Sequence, residues 1–382
     1  RIGLQNDIIG GGRVTGQAGP LSIGVLSLHT DDFSDGTTTV PGANNSVVRL
    51  RADVLPRTTV GGIITSIQNG SGHNRVVGGD AQLRFMNSSS VSAWFANVWD
   101  SDAGTSMAGA ASLSLQPRRW YSVNAEYQVV DPDFQPGLGF VRRQDMEKYS
   151  GTFALTPRFE SSGWARSLVS AVIYDRIDGR DGGKQSTRQF WHNMLSLQTG
   201  GFVSVNAQRR FERLATPSSI QGRPLAAGDY TFVSFDASAR TNASNTLSGG
   251  VNGSVGDFWS GTRTTYGGSL TWKTGPYLTL TGSASRNNID LPVTDGEFST
   301  SLLSMDVLGA VSRNLFANAL VQWDDVSRTL RANVRIDWIH TPGSDLFLVL
   351  DTGYMTGDQL DPLESRWLRR TGVVKLTYMK AF

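Results

Sequence analysis

From Arg328 to His340 the chain reads RTLRANVRIDWIH, two sequences woven together. Leu330, Ala332, Val334, Ile336 and Trp338 form an apolar row, with Arg331, Asn333, Arg335 and Asp337 between them. Alternation with period two predicts a β-strand with two unlike faces. The pattern recurs along the chain. Val48, Leu50, Ala52 and Val54 alternate with Arg49, Arg51 and Asp53. Gly79, Ala81, Leu83 and Phe85 alternate with Asp80, Gln82 and Arg84. Tyr121, Val123, Ala125, Tyr127 and Val129 alternate with Ser122, Asn124, Glu126 and Gln128. Around Leu168 to Tyr174 the segment is instead apolar on both faces.

About 21 such segments can be counted, each of about ten to fifteen residues, longer than strands of soluble proteins. No amphipathic helix pattern interrupts them, and no fixed-period repeat marks a solenoid or propeller. The connections alternate between tight and loose. The tight set includes QPRR (116–119), TGP (274–276) and TPGS (341–344); the loose set includes 31–44, 131–147, 214–228 and 355–365. Short hairpins at one end and longer ones at the other are the asymmetry of bacterial transmembrane barrels.

An apolar row on every strand needs a partner layer, and the sequence offers none. A lipid bilayer supplies one, provided every backbone group is paired, so the sheet must close on itself. The expected fold is all-β: a transmembrane antiparallel up-and-down β-barrel of about 22 strands, with 20 as the fallback, over residues 1–382 as a single domain. The count of 22 includes a partial strand at 1–7. The charged row would face the lumen.

Aromatic positions agree. Phe85, Tyr121, Trp272 and Trp338 fall at the tight-turn ends of their segments, and Tyr127, Trp323 and Tyr354 at the other ends. Two aromatic belts are expected at the two membrane interfaces. The C-terminus alternates Val374, Leu376 and Tyr378 and ends on Phe382, similar to the terminal insertion signal that outer-membrane assembly machinery reads; Lys380 interrupts the row.

Composition narrows the function. Net charge is +2, from 35 basic and 33 acidic residues, which gives no electrostatic case for nucleic acid. Cysteine is absent, so disulfides and thiolate metal sites are excluded. No apolar run approaches the roughly 18 residues of a helical span. There is no initiating Met, from which a processed product or the C-terminal part of something longer is expected.

Three stretches carry a resemblance: IGGGRVTGQAGPLSIGVLS (9–27), PDFQPGLGFVRR (132–143) and TPGSDLFLVL (341–350). Together they resemble a largely uncharacterised outer-membrane β-barrel family, whose members usually carry an N-terminal domain similar to family-nine carbohydrate-binding modules. The resemblance implies an integral location in a Gram-negative outer membrane, and an upstream domain that this chain does not include. It implies no particular activity.

The candidate lumen residues are Arg49, Arg51, Asp53, Asp80, Arg84, Glu126, Arg210, Asp236, Asp324, Arg331, Arg335 and Asp337. Such charges can form a selectivity surface or a ladder of cross-strand ion pairs on a wetted wall; the balanced signs favour the ladder. Asp100 with Asp102, and Asp178 with Asp181, place acids on Gly-containing turns, as a Ca²⁺ site requires and as ordinary hairpins also require. The four histidines stand singly, and GTSMAG around Ser106 is not a nucleophile elbow. No enzyme activity and no cofactor are expected.

A barrel this wide cannot fill its interior with its own side chains. The longest connections are about 14 to 17 residues, so no inward-folding loop is expected; the lumen is either open or occupied from outside the chain. The leading expectation is a porin-like conduit for small hydrophilic solutes. The alternative is an anchor that holds a carbohydrate-binding-like domain or partner protein in or near an occluded lumen. An energy-coupled transporter shares the strand count but needs a plug domain before its barrel, which the roughly dozen residues ahead of the first clear strand do not supply.

Overall fold

The computed structural model describes residues 6–34, 39–86, 88–357 and 366–379. It is all-β, with no helix among the described residues. Twenty-one long strands join one sheet, and every registered pair is antiparallel. They run from 10 residues (Leu21–Thr30) to 16 (Glu297–Ser312). At about 3.3 Å per residue even the shorter ones reach across a hydrocarbon core of about 30 Å. The first strand is Ile8–Ala18, and Asn6 and Asp7 lie outside any strand. The rest of the partial strand expected at 1–7 falls outside the described residues.

The chain divides into two compact units, residues 1–157 with 171–190 and 211–213, and the remainder. In the first unit nine strands pair in chain order. They are Ile8–Ala18, Leu21–Thr30, Asn44–Leu55, Thr58–Gln68, His73–Phe85, Ser89–Asp100, Gly104–Arg118, Tyr121–Val130 and Met146–Leu155. In the second unit nine more do the same, from Gly228–Arg240 through Thr329–Thr341 and Ser344–Met355 to Arg366–Thr377. Ala165–Asp178, Lys184–Leu197 and Phe202–Leu214 lie between them in sequence.

The registers keep like with like. Arg331 stands opposite Gln322 on one side and Gly353 on the other, while Val334 stands opposite Ala319 and Leu350. Opposed residues project to the same face, so the sheet carries an apolar face and a polar, charged face. The apolar row is not covered: Leu270 is 57 % exposed and Val374 70 %. Val374 and Leu376 stand opposite Leu348 and Leu346 on that face, Tyr378 follows the strand, and Phe382 lies outside the described residues.

At the tight end most connections are short, with Gly19 at φ 57° and Gly343 at φ 84° in the left-handed region their turns demand. Two expectations are corrected: 116–118 of QPRR stay in the strand Gly104–Arg118 with the turn at 119–120, and residues 156–164 separate Met146–Leu155 from Ala165–Asp178. The loose end is less uniform than expected. Phe258 and Gly261 are joined by only two residues, with Trp259 at φ 53°, and Asp100 and Gly104 by only three. A hairpin can close in two residues wherever one accepts positive φ; the alternation that defines a strand carries no information about that.

Candidate functional site: an infolded loop on the charged face

The loop 131–145 folds back over the charged face of the first unit, which corrects the expectation that no connection turns inward. Asn74, Val76, Asp80 and Arg84 share one parity in His73–Phe85. Val76 stands opposite Val98, Ala108 opposite Ala96 and Val130, and Val130 opposite Met146. Phe134 is buried among these side chains. Small apolar residues at the ends of five polar-parity rows thus make a socket for one aromatic ring.

Hydrogen bonds fix the rest of the loop. Asn74 Nδ2 donates to the Gln135 carbonyl at 2.8 Å, and Asn74 Oδ1 accepts the Gly137 N–H at 2.6 Å. Ser106 Oγ donates to the Asp133 carbonyl at 3.0 Å, and Gln144 Nε2 to the Phe134 carbonyl at 2.9 Å. Gly137 lies so close to the sheet that a Cβ there would come within 2.5 Å of Ile67 Cδ1. At the base, Arg180 pairs with Asp131 and Glu147, and Arg143 donates to Gln185 Oε1 at 2.5 Å. Asn74 Nδ2 also reaches Asp100 Oδ2 at 2.8 Å. Asp100 ends its strand at the turn 101–103, beyond the roughly nine to eleven residues that cross a bilayer. Its carboxyl is held below the usual carboxylate range, first by Asn74 and then by the N–H groups of Ala103 and Asp102.

Beneath the loop lies a cavity of about 1080 Å³. Trp94, Phe134, Leu138, Phe140 and Val141 give it apolar walls, and Arg142, Arg143 and Lys148 give it cations.

The candidate charges divide. Arg49, Arg51, Asp53, Asp80, Arg84 and Glu126 lie on the charged face of the first unit, where Arg49 pairs with Asp80 at 2.5 Å and Glu126 with Lys148 at 2.9 Å. Arg84 reaches Gln82 at 3.4 Å. In the second unit Asp236 accepts from Asn206 Nδ2 at 2.6 Å, and Asn206 Oδ1 meets His192 Nδ1 at 2.7 Å. Asp324 caps the turn to Thr329 by accepting the Ser327 N–H at 2.8 Å. Arg335 bonds Asn333 at 2.8 Å. Arg331 and Asp337 stand on the same face as Arg335, and Arg210 is half-buried in Phe202–Leu214. The expected ladder is therefore partial: of the twelve candidates, Arg49 and Asp80 are joined to each other.

Among the aromatics, Phe85, Tyr121 and Trp272 sit at or next to the tight-turn ends of their strands, and Trp338 lies three residues before the end of Thr329–Thr341. At the loose ends Tyr127 packs on Tyr149 at 5.1 Å and Tyr354 on Trp367 at 5.2 Å, and Trp323 stands opposite Leu330. In the second acidic turn Asp181 Oδ1 accepts the Gly183 N–H at 2.8 Å, while Asp178, at the end of its strand, pairs with Arg176 at 2.9 Å. Among the described residues no three metal-ligating side chains gather.

Several members of the site were not singled out from sequence. Lys148, with Ser150 and Thr152, follows the polar parity and was readable by the same rule. Asp175, which receives Ser150 Oγ at 2.6 Å and Arg188 at 2.7 Å, lies directly after the segment where both faces look apolar and parity is lost. Trp94 precedes Phe95, so periodicity cannot say which of the two is on the charged face; its register partner Asp80 decides it.

No protein-family model matches the sequence, and no curated protein does. Solved structures do match. A mutant ferric enterobactin receptor (PfeA) from Pseudomonas aeruginosa superposes with a TM-score of 0.58 at 10 % identity, over 89 % of this chain and 71 % of that one. The siderophore receptor PirA from Pseudomonas aeruginosa gives 0.58 at 13 % identity, over 95 % of this chain and 74 % of that one. At such identity the likeness is one of fold. The chain shares the large antiparallel sheet of outer-membrane β-barrel proteins.

Proposed function

We propose that the sheet closes into a transmembrane barrel of about 22 strands, the even count of bacterial barrels, in the outer membrane of a Gram-negative bacterium. The barrel is a porin-like conduit for small hydrophilic solutes. The observation that carries this reading is the two-faced wall. Leu330, Ile336 and Trp338 project to one side, exposed and without a second layer, and Arg331, Asn333, Arg335 and Asp337 to the other. An uncovered apolar face of this extent suits lipid, and a charged opposite face suits water.

The test is conductance of the refolded chain in a planar bilayer, with ion selectivity from the reversal potential. Stable steps support the conduit; a properly inserted but silent barrel sinks it. The infolded loop gives one observation for a second reading, an occluded barrel that anchors a carbohydrate-binding-like upstream domain or a partner at the membrane. Silent insertion is the outcome that reading expects.

A further inference from the structure

We propose that the cavity beneath loop 131–145 binds small amphipathic monoanions, each an aromatic or aliphatic body bearing one carboxylate. Its volume, about 1080 Å³, lies just above the usual range for small-molecule sites, about 300–1,000 Å³. The walls are chiefly apolar, and two aromatics look into open space: Trp94 is 39 % exposed and Phe140 89 %. Exposed rings around a concave volume are an unfilled apolar contact surface.

The polar groups give the sign of the ligand. Arg142, Arg143 and Lys148 line the cavity, and no carboxylate does. Lys148 is neutralised by Glu126 at 2.9 Å. The Arg143 guanidinium is oriented by a bond to the neutral amide of Gln185, not by a carboxylate. Arg142 is exposed beside it. Both arginines line the cavity, and a guanidinium presents paired donors that match a carboxylate. An apolar chamber with this cationic edge selects an anion with a greasy body over both a sugar and a cation.

The site rests on the conduit reading only for the solute's route of access, so binding is measured apart from conduction. The full chain, refolded into nanodiscs of zwitterionic lipid, is titrated calorimetrically with 4-phenylbutyrate and with its neutral amide. The acid is expected to bind about tenfold more tightly than the amide. Combined Arg142→Gln and Arg143→Gln removes that preference. Trp94→Ala weakens both ligands. Because Arg143 also braces the loop, Arg142→Gln alone serves as the second variant, and it is expected to lose part of the preference.

Equal affinity for acid and amide overturns the proposal, as does an unchanged preference in the double variant or no binding at millimolar ligand. Acid-selective binding in a barrel that conducts nothing supports the site and sinks the conduit. Conduction without binding sinks the site alone.

Discussion

Arg49 Nη1 donates to Asp80 Oδ2 at 2.5 Å across an intervening strand, over Gly61. Gly61 stands opposite both Arg51 and Asp80, and a Cβ built there would lie 2.7 Å from the Arg49 guanidinium and 2.8 Å from the Asp80 carboxylate. Glycine in a strand interior costs stability, and here it marks a close approach of side chains above the backbone.

The pair is more than a third exposed on each side, so its worth for stability is no more than about 1 kcal/mol. Its effect should lie in the field of the charged face. Arg49→Glu sets two carboxylates together and should move the reversal potential toward cation selectivity, with little change in thermal stability. The exchange Arg49→Asp with Asp80→Arg should restore the original potential. Gly61→Val should part the two charges and lower stability, read as the midpoint of heat-modified gel migration.

Asn74→Ala removes two hydrogen bonds to loop 131–145, at the Gln135 carbonyl and at the Gly137 N–H. The cost should be about 1–3 kcal/mol. The loop should become cleavable by protease in folded protein that resists cleavage elsewhere, and single-channel steps should grow noisier. An intact loop in the variant would show that Phe134 and the bonds from Ser106, Gln144 and Arg143 hold it without Asn74.

Phe134→Ala empties the socket formed by Val76, Val98, Ala108, Val130 and Met146. A buried Phe→Ala change costs about 3–5 kcal/mol, and the lower part of that range is expected, since small neighbours and an adjoining cavity let the site relax. Denaturant unfolding followed by tryptophan fluorescence measures it.

Acid should loosen the same loop. The Asp100 carboxyl is held below its usual range chiefly by Asn74. A carboxylate with a depressed pKa in the fold stabilises it above its unfolded-state pKa, and that support is lost as pH falls through the depressed value. Hydrogen exchange in 131–145 should therefore be slow at neutral pH and accelerate only below the ordinary carboxylate range. Asp100→Asn should exchange faster at neutral pH and lose most of the pH dependence.

Adjacent residues in one strand test the membrane reading. Val334→Arg puts a charge on the apolar face in mid-strand and should cost about 2–4 kcal/mol in lipid. Asn333→Arg, one residue away on the charged face, should be nearly neutral to stability and should shift ion selectivity. Equal costs for both in reconstituted protein would refute the assignment of faces.

The sequence by itself determined the wall. Alternation such as Leu330 to Trp338 against Arg331 to Asp337 sets strand, length and face together, because side chains in a strand point alternately to opposite sides. The same rule assigned Arg49, Asp80 and Glu126 to one face. It failed where the rule has no purchase: at Asp175, directly after a segment apolar on both sides, and at Trp94, beside another aromatic. Partners were equally out of reach, since Arg49 and Asp80 are 31 residues apart and meet only because Gly61 leaves room between them. The stretch PDFQPGLGFVRR has no periodicity, and nothing in its order says that it turns inward. Only the tertiary structure decided that, by bringing Val76, Val98, Ala108 and Met146 from separate strands into one socket and setting Asn74 beneath Gly137. A loop's course is set by contacts distant in sequence, whereas a strand's two faces are written within a few residues.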